Sequence, residues 1–158
     1  MIDRELRDAC LGVIETSEAM YLTCIDGEGF PKTRAMLNLR NRDQYPDHTH
    51  LYTDHQDDFL VYVGTNTSSK KRAELAANPK VALYFCRPRE FKGVLLCGEI
   101  EFVLDAETKK AVWVEGWERY YRETGGPDDP DYTLLRLFPS SVSGWYQGRK
   151  FEFRPTQR

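Results

Sequence analysis

Strand-forming runs follow one another along this chain with turns between them, and the helical stretches are few and short. Met20 to Ile25, Phe30 to Leu39, Phe59 to Val63, Val81 to Cys86, Val94 to Leu104, Tyr132 to Phe138 and Lys150 to Arg154 are dense in aliphatic, β-branched or aromatic residues. A doubly wound fold would alternate such strands with long crossover helices. The succession instead predicts a mostly β fold, a small antiparallel barrel with peripheral helices. Asp26-Gly27-Glu28-Gly29 supplies the turn of the first hairpin. Three helices are expected: Asp3 to about Thr16, with Leu6, Cys10, Val13 and Ile14 on one stripe; Ser68 to Ala77, stopped by Asn78-Pro79; and one from Asp105 towards Tyr121, weakened at Gly116. Arg40 to Asp58 is polar and irregular except for a short strand at Leu51-Tyr52-Thr53, and Gly125 to Asp131 forms a rigid acidic loop. With 158 residues, the chain suits one domain over 1–158 and leaves no room for a second of full size.

Charge narrows the partners. The 22 basic and 25 acidic side chains give a net charge of −3, which disfavours a generic polyanion binder, and no nucleic-acid module is evident. Asp3, Arg4, Glu5, Arg7 and Asp8 break any apolar leader, and no segment reaches the roughly twenty apolar residues of a membrane span. Cys10, Cys24, Cys86 and Cys97 show neither zinc-knuckle nor C-x-x-C spacing, and read as buried free thiols of a reducing cytoplasm. His48, His50 and His55 read as exposed loop residues rather than metal ligands, because their spacing matches no standard site. No histidine follows His55, which argues against a hydrolytic triad built on a late imidazole.

Two features point to an anion. Asn66-x-Ser68-Ser69-Lys70-Lys71-Arg72 stands at a strand-to-helix junction, where free N–H groups and hydroxyls favour negative charge. Cations in a first helical turn are misplaced on a bare helix and make sense once an anion inverts the local field; ordinary solvated lysines are the alternative. Arg34 lies on a strand whose alternation places Ala35, Leu37 and Leu39 towards the core and Arg34, Met36 and Asn38 on the opposite face. That guanidinium serves either as a phosphate fork or as half of a surface salt bridge. Trp113, Trp117 and Tyr121 form a stripe suited to packing, within the chain or across a dimer, and Trp145 and Tyr146 line a pocket or an interface.

These residues, with Leu75-x-x-Asn78-Pro79, Lys32 to Leu37, Val63 to Lys71, Gly93 to Gly98 and Asp131 to Leu137, give a chain that resembles the pyridoxamine 5′-phosphate oxidase-like FMN-binding family, its short general-stress-protein type most of all. The resemblance spans nearly the whole sequence. It implies a split β-barrel and a homodimer with flavin sites at the subunit interface. It also implies an FMN phosphate held by Arg34, Lys70 and Lys71, with Ser69 in the family's serine-basic-lysine motif. Ala35, Met36, Leu37, Gly64 and Thr65 correspond to residues beside the flavin, and Gly93 stands near the position of a glutamine that contacts it.

Two departures matter. Leu39 replaces a substrate-binding lysine, and the C-terminal stretch Phe151 to Pro155 lacks the family oxidase's arginine-x-histidine element. Genuine vitamin B6 oxidation is therefore not expected. What remains is an FMN-binding oxidoreductase-like protein with an unidentified substrate or electron donor and no nominated catalytic side chain. A non-catalytic flavin carrier or sensor and a deazaflavin-binding relative stay open as alternatives.

Overall fold

The computed structural model describes residues 3–156. The element order is α1 (Arg4–Ile14), β1 (Ala19–Ile25), β2 (Pro31–Leu37), β3 (Val61–Asn66), α2 (Lys70–Ala77), β4 (Lys80–Arg87), β5 (Lys92–Val103), α3 (Ala106–Val112), β6 (Tyr132–Leu137), β7 (Ser141–Tyr146) and β8 (Arg149–Phe153). All strand pairs are antiparallel, and the main path runs β2-β1-β4-β5-β6-β3. The twelve residues of β5 pair with β4 on one edge, and the other edge is divided between β7, along Gly93 to Cys97, and β6, along Ile100 to Val103. That split register curls the sheet into a half-barrel. Its edge strands β2 and β3 approach each other without a hydrogen-bonded ladder between them. The mostly β, split-barrel architecture expected from the sequence is therefore present.

Local chemistry explains the ends of the elements. Asp3 caps α1 by accepting from the Glu5 N–H at 2.9 Å, and Gly29 adopts φ +88° in the first hairpin turn. Ser69 caps α2 and Asp105 caps α3 through their side-chain oxygens. The barrel interior is filled by one cluster that includes Met20, Leu22, Val63, Leu83, Phe85, Val94, Leu96 and Leu135. A second cluster, outside β3 and β6, stacks Tyr52, Tyr62, Trp117, Tyr121 and Tyr132.

Several sequence expectations fail. The Leu51-Tyr52-Thr53 segment is not a strand; it ends a 3-10 helix over Pro46–Tyr52 that begins on Pro46. The third helix stops at Val112, where Trp113 turns extended (φ −57°, ψ 136°), and the chain restarts as a 3-10 turn at Trp117–Arg119 after Gly116 takes φ +94°. β7 went unanticipated, since Ser141, Ser143 and Gly144 carry little strand propensity. The two faces of β2 are reversed: Ala35 and Leu37 are exposed, whereas Arg34 and Met36 turn towards the barrel. His48 is buried and stacks on Tyr45, and His55 pairs with Asp58, so these two are not exposed loop residues. Cys86 and Cys97 are half-buried rather than buried, and all four thiols are free. Among the described residues no cluster of His, Cys, Asp and Glu could hold a metal ion, and no helix is long and apolar enough to cross a membrane.

Candidate functional site

The barrel edge opposite α1 brings together elements far apart in sequence. Arg34 projects from β2 into the barrel mouth, level with Leu22 of β1. Thr65 shares the inward face of β3 with Val61 and Val63. α2 follows directly and lays Lys71 and Glu74 across the gap between the two edge strands. Arg34 Nη2 donates to Glu74 Oε2 at 3.0 Å and Nη1 to Cys24 Sγ at 3.3 Å, while the Cys24 thiol donates to the same Glu74 oxygen at 3.4 Å. Lys71 is 8% exposed; its ammonium donates to Thr65 Oγ1 at 2.7 Å and lies 3.5 Å from Ser69 Oγ.

Electrostatics at this mouth are unbalanced. Burial, and then the nearby Arg34 guanidinium, push the Lys71 ammonium below its ordinary pKa. Burial likewise pushes the Cys24 thiol up, so it stays protonated and acts as a hydrogen-bond relay. Burial works against ionisation of Glu74, but the hydrogen bonds from Cys24 and Arg34 prevail and hold its carboxyl below the usual range. Arg34 and Lys71 share one carboxylate partner, Glu74, which leaves the mouth with an uncompensated positive charge suited to an anion.

The loop ahead of α2 is latched from behind. Asp131 accepts from the Ser68 N–H at 2.8 Å and from Asn66 Nδ2 at 2.7 Å, and its carbonyl accepts from the Thr67 N–H at 2.7 Å. The Ser69 turn is therefore held in shape by a residue more than sixty positions away in the chain.

The sequence-derived site residues divide into three groups. Arg34, Thr65, Ser69 and Lys71 meet at this mouth, with Lys70 exposed beside them. Ala35 and Leu37 lie on the outer face of the same strand, and Met36 packs inward. Gly64 and Gly93 are occupied by their own chain. A Cβ on Gly64 would come within 2.9 Å of the Trp117 ring, and one on Gly93 within 2.2 Å of the Tyr84 hydroxyl. Gly93 also lies on β5, three strands from β2, or roughly 14 Å across the sheet. Sequence reasoning missed Cys24, Glu74 and Asp131. An acidic residue one turn after the lysines was the available hint of Glu74; nothing in the local sequence betrays Asp131.

The sequence profile of the pyridoxamine 5′-phosphate oxidase family matches residues 6–146. No curated protein matches significantly. Among solved structures, the chain is similar to a Clostridium acetobutylicum protein related to general stress protein 26 of B. subtilis, of the pyridoxinephosphate oxidase family. The two are 27% identical over 97% of this chain and 96% of that one, with a TM-score of 0.76. General stress protein 26 from Bacillus anthracis is 20% identical over 95% of this chain and 98% of its own, at a TM-score of 0.70. A heme binding protein from Mycobacterium smegmatis is 13% identical, covers 98% of this chain and 60% of its own, and gives a TM-score of 0.66. The last two likenesses concern the fold alone.

Proposed function

Because the chain belongs to the pyridoxamine 5′-phosphate oxidase family, we propose that it binds FMN with the phosphate at the β2–β3–α2 mouth and acts as a flavin-dependent oxidoreductase-like homodimer. The carrying observation is the meeting of Arg34 from edge strand β2 with Lys71 from α2, which is bound to Thr65 of the other edge strand, β3, with a net positive charge. FMN supplies electron-transfer chemistry that no side chain here can perform. The chain's own residues bind and orient. Arg34 offers its planar fork with one edge already fixed by Glu74 and Cys24. Lys71 gains most from an anion, because its charge is desolvated and its hydrogen bonds go to neutral hydroxyls. Ser69 and the Asp131 latch hold the α2 N-terminus towards the ligand.

The outer face of the sheet supports the dimer reading. Tyr21, Tyr84, Leu37 and Trp145 are 38%, 42%, 50% and 50% exposed. Strand register places all four on the side opposite the barrel core. A row of exposed aromatic and aliphatic groups on a continuous sheet suits an isologous contact. Gly93, remote from Arg34 in its own chain, would reach a flavin only across that contact.

Oxidation of vitamin B6 phosphates does not fit. Leu39 is 1% exposed within the aromatic cluster. Its neighbour Arg40 is committed to the Leu60 and His55 carbonyls at 2.7 and 3.1 Å. Neither supplies a cation for a second phosphate.

The test is the absorbance spectrum of untreated purified protein, followed by FMN titration. Oxidised-flavin bands, or micromolar uptake of added FMN, support the proposal; colourless protein that takes up no FMN overturns it. Rapid reduction on anaerobic mixing with NADH or NADPH then favours an enzyme over a carrier.

A further inference from the structure

The Arg34 mouth contains a negative charge that an anion-binding site does not need. Glu74 of α2 accepts from Arg34 Nη2 at 3.0 Å and from the Cys24 thiol at 3.4 Å, both through Oε2. Arg34 Nη1 in turn donates to Cys24 Sγ at 3.3 Å, so β1, β2 and α2 meet around one carboxylate. Lys71 lies one turn earlier on α2, and its ammonium feels both Arg34 and Glu74. Asp26, just past β1, adds a second carboxylate at longer range. It accepts from the Glu28 and Phe30 N–H groups at 2.9 Å each and lies 3.4 Å from Lys32 Nζ.

Proton counting singles out Glu74. Arg34 and Lys71 are already cations, and burial raises the Cys24 thiol so that it already keeps its proton. The two carboxyls are both held below their ordinary range, but for different reasons. Asp26 is depressed first by the Phe30 N–H, a backbone bond that an anion at Arg34 leaves in place. At Glu74, burial opposes ionisation, and the hydrogen bonds from Cys24 and Arg34 outweigh it. An anion that claims the guanidinium withdraws part of that support and adds repulsion, while burial stays. The Glu74 side chain is 17% exposed, so water reaches it. Its Oε2 is engaged twice, whereas Oε1 makes no hydrogen bond among the described residues.

We propose that Glu74 determines which charge state of a phosphate the mouth accepts: a singly charged group enters with Glu74 ionised, and a doubly charged one enters with one proton taken from water onto Glu74 Oε1. This charge selectivity rests on the FMN reading of the same mouth. Arg34, Lys71 and ionised Glu74 leave one positive charge, which balances a monoanion and falls short of a dianion. Lys70 is exposed, and solvent and salt screen its contribution.

The experiment is calorimetric titration of the full chain, native, Glu74→Gln and Glu74→Asp, with FMN and with sulfate, from about pH 4 to about pH 8 in buffers of different ionisation enthalpy. Sulfate stays doubly charged throughout, so it reports the protein's proton alone. A dianion that raises the Glu74 pKa by about one unit weakens native binding about tenfold once the pH exceeds the bound value. At about pH 8, Glu74→Gln should therefore bind both probes about tenfold more tightly than the native chain, and Glu74→Asp should stay close to native. Native affinity for sulfate should fall as the pH rises through the free Glu74 value and level off above the bound one. The gap to Glu74→Gln thus narrows towards acid pH. Between those two values the native protein should take up a proton with sulfate, and Glu74→Gln should not. A carboxylate that serves only to brace Arg34 gives the reverse order, since glutamine keeps that hydrogen bond and aspartate is too short for it. That order, equal native and Glu74→Gln affinities at the alkaline end, or equal proton uptake by both would each overturn the assignment. If sulfate shows the expected pattern and FMN is not taken up, the flavin reading falls and the charge selectivity stands. If FMN binds and Glu74→Gln leaves its affinity unchanged, the reverse holds, and a mouth that takes up neither anion overturns both.

Discussion

The two ends of the half-barrel solve the same problem with opposite chemistry. At the α1 end, Cys10, Val13 and Ile14 close the core against Phe85 and Val94, and charge is kept to the exposed rim of the hairpins. At the α2 end, Leu75 alone anchors the helix, and Arg34, Lys71, Glu74 and Cys24 form a partly buried polar network. Buried ion pairs are a poor way to stabilise a fold, since desolvation offsets most of the attraction and apolar replacements are often as stable or more so. The α1 end shows that this scaffold can be capped with apolar residues. Charge at the α2 end therefore calls for a reason other than stability, and anion binding provides one. The sharpest break of the comparison is Arg34→Gln combined with Lys71→Met. With two charge-assisted contacts removed at about 1.5–3 kcal/mol each, FMN affinity should fall by roughly a thousandfold or more. Fluorescence quenching of free flavin on titration measures the loss.

Lys71→Met alone sharpens the point. Methionine matches the lysine stem without a charge to desolvate, so the ligand-free protein should gain about 1 kcal/mol, or roughly 2–4 °C in thermal midpoint. FMN affinity should fall about tenfold or more in the same protein. Thermal melts with and without saturating FMN would then cross: the variant is more stable without ligand, and the native protein regains the lead with it. A variant less stable in both conditions would mean that the ammonium serves the fold.

What the sequence disclosed follows the range over which each signal acts. α1 and α2 were legible because cap, stripe and stop are local, as at Asp3 and at Asn78-Pro79. The strands of the core were legible as apolar runs. The alternation in β2 correctly separated Arg34 and Met36 from Ala35 and Leu37, but a two-residue period does not say which side is inside. The outer face of this sheet carries exposed apolar groups, so hydrophobicity pointed the wrong way. Trp113, Trp117 and Tyr121 do pack together, with ring centroids 5.5–6.2 Å apart, yet they do so without one continuous helix: the chain turns extended at Trp113 and restarts past the left-handed Gly116. At the candidate site, the cations were visible because their types and junction are local features. Their neighbours were not: Glu74 meets Arg34 across 40 positions, and Asp131 meets Ser68 across 63.

That long-range latch gives the smallest and most discriminating effect. The hydrogen bond from Asn66, followed by that from the Ser68 N–H, holds the Asp131 carboxyl below its ordinary pKa. A carboxyl depressed on folding contributes stability that is fully present above its unfolded value, about 3.9, and is lost as pH falls through the folded value. Asp131→Ala should therefore be less stable than the native chain at neutral pH, and the gap should close as the pH falls below the unfolded carboxyl value and through the lower folded one. Asp26, Glu74, Asp105 and Asp129 are depressed as well, so the acid limb of the variant becomes shallower without going flat. With the Ser68 turn unlatched, FMN affinity at pH 7 should fall by a few-fold, about 3 to 10, well short of the loss from removing Arg34 and Lys71. Parallel acid limbs in the two proteins, with unchanged FMN affinity, would show that the turn keeps its shape without Asp131, and that the α2 end is ordered by its cations alone.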